Sequence, residues 1–350
     1  MTTYTLFGTA TLLLTLYLWW GFTALPAERW QILATVPEHK QPQGSWQGIN
    51  FTWYGLLTAN AYLVAVAVLL ILLGSVGVAP PATALLALAM LLCCVPASRL
   101  VARLVEKKAH TFTVGGAVFV GILLTPFIIL LVNRLAGPRL GFSIPVMAAC
   151  AAIAIAYAFG EGLGRLACIS FGCCYGKPVA TSNRLLVRLF SGRGFRFFGS
   201  TKKAVYADNL EAVELIPVQA LTAVLYCSCG LLASGLFLTG HHTSAFLLAT
   251  SVTQGWRSWS ETLRADYRGS GRISAYQIMG IIGVLYALGM ALLLGHEAVS
   301  PADLVRGLTG IWHPALLLFL QGIWLAIFYY TGRSSVTGAV VSYHVHHDRV

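Results

Sequence analysis

Long, uninterrupted apolar runs constrain this chain more than any other feature of its sequence. A run of roughly 18 to 25 apolar residues can cross the hydrocarbon core of a bilayer as a helix. About nine such runs follow one another along the 350 residues, of which only 10% are charged. The runs are Thr5–Leu25, Phe51–Leu73, Pro81–Leu100, Gly115–Val132, Ile144–Gly162, Pro217–Leu238, Ser244–Trp259, Ile273–Leu294 and Ile311–Tyr330. The sequence therefore predicts an all-α, polytopic transmembrane helical bundle of about seven to nine spans, with residues 1–350 forming a single membrane domain.

One polar stretch interrupts this pattern near the middle of the chain. Gly176–Glu214 follows the fifth predicted span and is rich in arginine and lysine. It opens with Gly-Lys-Pro, which is a turn signal, and Ala204–Tyr206 favours a short strand. We expect an extramembrane head insertion at residues 177–215.

The net charge of +11 indicates contact with anionic lipid rather than with nucleic acid. The basic residues lie in loops between apolar runs and do not line one polar face. By the positive-inside rule, the loops that contain Arg103 and Arg264 would face the cytoplasm.

Charged side chains inside apolar runs cost free energy, so each needs a partner or a function. Arg165 follows Gly164 at the end of the fifth run, and its guanidinium offers a fork of donors suited to a phosphate. The alternative is an ion pair with Glu161, one helical turn earlier, that only neutralises two charges.

A second polar group lies in the seventh run. On a helix, Arg257, Glu261 and Arg264 share one face at spacings of four and three. Such a face lines a polar cavity or reaches the membrane interface, with Trp256 and Trp259 as interfacial anchors. We expect Arg264 at the interface and regard the deeper Arg257 as the better ligand candidate.

Three cysteines, Cys168, Cys173 and Cys174, follow Arg165. A thiolate can act as a nucleophile, an acceptor or a metal ligand, and Cys168 can form a redox pair with its neighbours. The motif has neither a CxxC spacing nor a histidine, so no metal site is predicted, and inert structural thiols fit equally well. A thiol redox protein ranks last, because adjacent cysteines form a strained disulfide.

Taken in order, these pieces resemble the bacterial prolipoprotein diacylglyceryl transferase family over roughly Asn50–Leu294. Tyr54 matches the tyrosine in the family's opening Trp-Tyr-Gly-Leu. Arg257 and Glu261 match an arginine that is followed four residues later by glutamate. The other matches are Gly164, Arg165 and Gly176 of the family signature, and Pro217 and Gln219 of the helix after the head.

The chain also departs from the family pattern. Cys168 and Cys173 stand where the signature has Asn and Glu. Val114 stands where the family has a histidine before Gly-Gly, and the nearest histidine is His110. These departures indicate a divergent member with a Gly-Cys-Cys-Tyr-Gly signature.

The resemblance implies a multi-pass protein of the bacterial inner membrane that moves diacylglyceryl from phosphatidylglycerol, or a related anionic phospholipid, to the lipobox cysteine of a preprotein. It also implies that the head faces the periplasm, against the positive-inside count, and we favour the family orientation. The displacement needs neither a metal nor an organic cofactor. The rival hypotheses are a non-catalytic lipid-binding membrane protein of the same fold, and a transferase with a different acceptor.

The resemblance also assigns roles to residues. Arg165 and Arg257 would hold the phosphate, and the base would be Glu261, Tyr54 or His110, in decreasing order of preference. The expected substrate-binding residues are Gly115, Gly116, Gly164, Cys168, Cys173, Gly176 and Gln219.

Overall fold

A computed structural model describes residues 3–106, 114–265, 273–295 and 301–350 and confirms the polytopic helical bundle. These segments form thirteen α-helices. They are α1 (Thr3–Ala24), α2 (Trp53–Ser75), α3 (Pro80–Val101), α4 (Val114–Leu135), α5 (Gly137–Leu140), α6 (Val146–Phe171), α7 (Arg184–Phe190), α8 (Lys203–Asp208), α9 (Val218–Leu238), α10 (His242–Ser260), α11 (Ala275–Leu294), α12 (Leu304–Ile311) and α13 (Pro314–Gly332).

A long helix occupies each of the nine predicted positions. Eight of these helices, within the described segments, are long and apolar enough to cross a membrane. The remaining one is α10, which falls outside that set and carries Gln254 and Arg257. The predicted membrane fold is therefore confirmed, and α10 is its most polar long helix.

Helix α6 lies at the centre of the bundle, packed against α2, α9 and α10. Its first turns are rich in alanine, and Ala148, Ala149, Ala151 and Ala152 are fully buried. Small side chains allow neighbouring helices to approach closely, which is the main source of helix association in lipid. The helix continues to Phe171, nine residues beyond the predicted end at Gly162, so it carries the Gly-Arg motif in its last turns.

A three-stranded antiparallel sheet adds to the bundle and was not predicted from the sequence. Strands β1 (Ile32–Lys40) and β2 (Trp46–Thr52) form a hairpin, and β3 (Arg333–Val341), which follows α13, pairs with β2. Strand β2 runs directly into α2, where the Thr52 side chain caps the helix by accepting from Gly55 N at 3.3 Å. The sheet therefore joins the start of α2 to the end of α13.

The polar segment after α6 contains no strand at Ala204–Tyr206, so that prediction was wrong. These residues belong to α8, which closes at Asn209 in the left-handed conformation (φ +52°), with Asn209 N donating to Val205 O at 2.9 Å. A closed helical turn satisfies the local backbone groups without a partner strand. The segment's start is tied to the end of α10 by a bridge between Gly176 and Arg264.

Candidate functional site

A small polar cavity lies where α6, α9 and α10 meet. Its lining includes three arginines and one glutamate, an unusual concentration of charge for a membrane bundle. The lining residues are Arg165, Cys174, Val218, Gln219, Thr222, Tyr226, Trp256, Arg257, Ser260, Glu261 and Arg264. The structure thus brings together Arg165, Arg257, Glu261 and Gln219, which the sequence had singled out separately.

Arg165 both pairs with a carboxylate and lines the cavity. It forms an ion pair with Glu161, one turn earlier on α6, and the two side chains are only 16% and 14% exposed. Among the described residues, Arg165 Nε is buried without a hydrogen-bond partner. Both hypotheses for this residue are therefore compatible, because the pair neutralises charge while one donor remains for a ligand.

Arg257 enters the cavity from α10 without an ion pair to any described carboxylate. Its guanidinium lies over the Tyr276 ring of α11, with Cζ 5.6 Å from the ring centroid. Gly115 of α4 lies directly against the guanidinium, and a Cβ at that position would collide with it. The glycine therefore leaves room for Arg257 in this structure.

Arg264 lies in the cavity wall, which differs from the expected interfacial position. Its side chain is only 9% exposed, and Nη1 is 3.7 Å from Glu261 Oε1. The physical reason is local: α10 ends at Ser260, Glu261–Leu263 forms a tighter 3-10 turn, and the bridge to Gly176 holds Arg264 inward. Within the part of the chain that the structure describes, Glu261 Oε2 is buried without a hydrogen-bond partner.

The two tryptophans of α10 lie in different environments. Trp259 is 55% exposed and can serve as an interfacial anchor. Trp256 instead lines the cavity, where its Nε1 donates to Thr222 Oγ1 at 2.8 Å. Only one of the two thus fits the predicted anchor role.

Helix α9 supplies a polar face that the sequence analysis left incomplete. Gln219 was predicted, and its Nε2 donates to Cys173 O at 2.8 Å. Its Oε1 is buried and has no partner among the described residues. Thr222 and Tyr226 follow at spacings of three and four and were missed. That spacing places them on the same helical face as Gln219, so the pattern needed to find them was present in the sequence.

The three predicted cysteines meet at the C-terminus of α6. Gly172 N donates to Ile169 O at 3.1 Å and Cys173 N donates to Cys168 O at 3.0 Å, which is a Schellman cap. The Sγ atoms of Cys168, Cys173 and Cys174 all lie within 4.8 Å of one another. Cys174 has a φ of +57°, a conformation that non-glycine residues seldom adopt.

The other predicted residues surround this centre. Tyr54, in the first turn of α2, packs edge-on against Phe171 with ring centroids 5.8 Å apart. His110 lies outside the described residues. The remaining predicted glycines make close helix or loop contacts: Gly116 with Val101, Gly164 with Ala61, and Gly176 with Ile216.

A family model described as prolipoprotein diacylglyceryl transferase matches residues 45–293, well over half of the chain. A search of curated proteins finds no significant match. The matched region contains the whole cavity and the three-cysteine turn.

Proposed function

Because the chain belongs to the prolipoprotein diacylglyceryl transferase family, we propose that it transfers diacylglyceryl from phosphatidylglycerol, or a related anionic phospholipid, to a cysteine thiol. The family carries out prolipoprotein diacylglyceryl transfer in general, and the donor lipid is the specific part of the proposal. The observation that carries it is the cavity with three guanidinium groups inside a membrane bundle.

The charge of the cavity suits a phosphodiester. Arg165 pairs with Glu161 and Arg264 pairs with Glu261, so these four charges cancel. Arg257 has no carboxylate partner among the described residues, which leaves one positive charge. The phosphodiester of phosphatidylglycerol carries one negative charge, and charge-assisted hydrogen bonds from arginine are the usual way to hold it.

The chemistry is a displacement at the glyceryl carbon next to the phosphate. The acceptor sulfur forms a bond to that carbon, the carbon–oxygen bond breaks, and glycerol phosphate leaves with the bonding electrons. Arg165 and Arg257 would stabilise the charge that develops on the leaving phosphate. A base must take the thiol proton, and Glu261 is our first candidate because its Oε2 is buried and has no hydrogen-bond partner among the described residues. Tyr54 and His110 are the other candidates.

The chain is a multi-pass membrane protein, and we assign it to the bacterial inner membrane, where such a lipid donor and lipobox-containing preproteins meet. The polar residues 177–215 would form the extramembrane head on the periplasmic side. The backbone ties between this segment and α10 support a role in shaping the cavity entrance, since Lys177 N donates to Leu263 O at 2.9 Å.

The experiment is release of glycerol phosphate by the purified protein from phosphatidylglycerol, with and without a lipobox peptide. Peptide-dependent release, accompanied by a peptide mass increased by one diacylglyceryl group, supports the transferase. Phosphatidylethanolamine, which has the same phosphodiester in a zwitterionic headgroup, serves as the matched donor. Its reaction would release phosphoethanolamine, and the peptide mass should increase far more slowly. Absence of release under any lipid composition would contradict the proposal.

A second candidate is a lipid-binding protein of the same fold without turnover. Cys168 and Cys173, at the positions where the resemblance expects Asn and Glu, favour this alternative. Such a protein would bind phosphatidylglycerol at the arginine cavity and never release glycerol phosphate. Native mass spectrometry of the protein with bound lipid, beside the release assay, distinguishes the two.

A further inference from the structure

The three-cysteine turn is the strongest feature that the proposed transfer leaves unexplained. In a Schellman cap, the residue after the left-handed glycine usually packs against the residue five positions earlier through an apolar contact. Here those two positions are Cys173 and Cys168, so the helix cap itself brings two thiols together. Cys174, whose φ is positive, contributes the third sulfur of the same cluster.

The spacing of the sulfurs is close to that of a metal site. With metal–sulfur bonds of about 2.3 Å, tetrahedral coordination places sulfurs about 3.8 Å apart. The observed separations, all within 4.8 Å, need only a movement of about 1 Å to reach that geometry. A C-x4-C-C spacing differs from the CxxC spacing that is typical of zinc sites. It still brings the three sulfurs together, because the left-handed turn at Gly172 folds the second and third cysteines back over the first.

The surroundings hold the turn in place. Gln219 Nε2 donates to the Cys173 carbonyl at 2.8 Å, and Ala204 N donates to Gly172 O at 3.0 Å. Arg165 and Arg264 line the same cavity as Cys174, and their N–H groups would donate hydrogen bonds to the thiolates of a metal centre. Three sulfur ligands of this kind favour soft d10 cations over Mg²⁺ or Ca²⁺.

We propose that Cys168, Cys173 and Cys174 bind a thiophilic d10 cation, Zn²⁺ first among them, and that its open fourth position takes the acceptor thiol. The second half of this inference rests on the proposed function. Cys174 lines the arginine cavity, so a thiol bound at the fourth position would stand beside the lipid phosphate. Three protein ligands with one open position are the pattern of catalytic rather than structural zinc.

The proposed step conserves atoms and charge. The acceptor thiol binds Zn²⁺ and loses its proton, because a coordinated thiol is deprotonated by the metal. Its sulfur then bonds to the glyceryl carbon, the carbon–oxygen bond breaks, and the electron pair leaves on glycerol phosphate. The thiol proton ends on Glu261, water or the departing phosphate. Zinc in this role would compensate for the family histidine, which Val114 replaces in this chain.

The first experiment measures metal binding without any need for turnover. Purified full-length protein is stripped with a chelator, loaded with Zn²⁺, and treated with a thiol-alkylating reagent, and labelling is read by mass spectrometry. We expect Zn²⁺ to protect Cys168, Cys173 and Cys174 at least tenfold while Cys94, outside the cluster, labels equally. Loading with Co²⁺ should give the intense near-ultraviolet charge-transfer band of thiolate ligands.

Variants sharpen the assignment. Cys173→Ser should lose most of the Co²⁺ band and the zinc protection, and Cys94→Ser, the matched control, should keep both. Chelation should lower peptide-dependent transfer at least tenfold, and Zn²⁺ should restore it. If a cluster variant fails to fold, the labelling of the unmodified protein still decides the matter.

The outcomes separate this inference from the proposed function. Equal labelling with and without Zn²⁺, together with transfer that resists chelation, overturns the metal site and leaves the transferase intact. Zinc protection without glycerol phosphate release from any lipid supports the metal site and contradicts the proposed function. Protection that vanishes in Cys94→Ser as well would place the metal elsewhere and overturn the inference.

Discussion

Two places in this molecule bury positive charge, and they do so in opposite ways. Lys202 in the polar segment is fully buried, and its Nζ donates to Ser170 O at 2.6 Å and to Leu25 O at 3.0 Å. The arginine cavity instead keeps Arg165 Nε and Glu261 Oε2 buried, and neither atom has a hydrogen-bond partner in the segments that the structure describes. The Lys202 ammonium therefore has hydrogen-bond acceptors around it, whereas these two cavity atoms lack partners among the described residues.

We assign the difference to a structural cation at Lys202 and to the proposed lipid-binding site in the cavity. Lys202 joins the carbonyl ends of α1 and α6, where the helix dipoles favour a positive charge. A buried polar atom without a partner costs free energy, and a ligand that supplied the missing bonds would remove that cost, which supports the proposed site. Substitution at the two places should therefore change different measurements.

The largest effect is expected for Arg257→Ala. Loss of one preorganised donor to a developing charge costs about 10²- to 10³-fold in rate, or roughly 3 to 4 kcal/mol. Because Arg257 has no carboxylate partner among the described residues, its removal leaves no unpaired buried charge, and Tm in detergent should change little. The measurement is glycerol phosphate release beside thermal unfolding.

Arg196→Ala is the matched control for that variant. Arg196 contacts Glu214 at 3.4 Å on the surface of the polar segment and is 56% exposed. Its removal should change the rate by less than about twofold, since exposed ion pairs contribute little. Equal losses in the two variants would contradict the assignment of Arg257 to the phosphate.

Lys202→Met should show the opposite signature. The methionine keeps much of the apolar stem but leaves the carbonyls of Leu25 and Ser170 without their donor, at a cost of about 2 kcal/mol in the free energy of unfolding. The specific activity of the folded protein should stay close to that of the unchanged protein. Lys203→Met, one residue later and half-buried, is the control and should leave Tm nearly unchanged. A Lys202→Met protein with normal Tm and lost activity would contradict the structural role of Lys202.

A smaller effect is expected for Glu261→Gln. The amide keeps the shape of the side chain but cannot accept a proton, and it weakens the contact with Arg264. We expect transfer to fall by about tenfold, since Glu261 is one of three candidate bases. If zinc activates the thiol, added Zn²⁺ at higher pH should recover part of the loss. An unchanged rate and pH profile would remove Glu261 from the list of bases.

The sequence predicted the parts of this comparison that depend on local spacing. Apolar runs located the long helices, and the four-residue spacing of Glu161 and Arg165 offered their ion pair as one of two interpretations. The inward position of Arg264 was not predictable from a regular helical face, because the backbone tightens into a 3-10 turn after Ser260. The position of Arg264 depends on that turn and on its bridge to Gly176.

The parts that escaped prediction depend on distant partners or on cap geometry. The sheet pairs β2 with β3, and Asn50 Nδ2 donates to Thr337 Oγ1, although the two residues are 287 positions apart in the sequence. The thiol cluster arises from a left-handed glycine that no cysteine-spacing rule includes. Lys202 was noted only as one of many basic residues, since nothing nearby in sequence marks the two carbonyls that surround it.

The smallest expected effect concerns the pH dependence of Lys202. Burial lowers its pKa to about 8, although the charge of Glu28 opposes the shift. In the unfolded chain the pKa returns to about 10.4, so between the two values the unfolded state binds more protons and the free energy of unfolding rises with pH. Relative to Lys202→Met, the unchanged protein should gain on the order of 1 kcal/mol between about pH 7 and pH 9.

The measurement is the difference in Tm between the two proteins at each pH, because other titrating groups cancel in that difference. A difference that rises with pH means that the fold holds the ammonium at a desolvation cost, which disappears when Lys202 becomes a neutral amine. The neutral amine would still donate to both carbonyls. A constant difference would mean that the carbonyl ends of α1 and α6 stabilise the ammonium fully. Lys202 would then be a charge matched by dipoles alone, and the contrast with the arginine cavity would lie entirely in the missing partners.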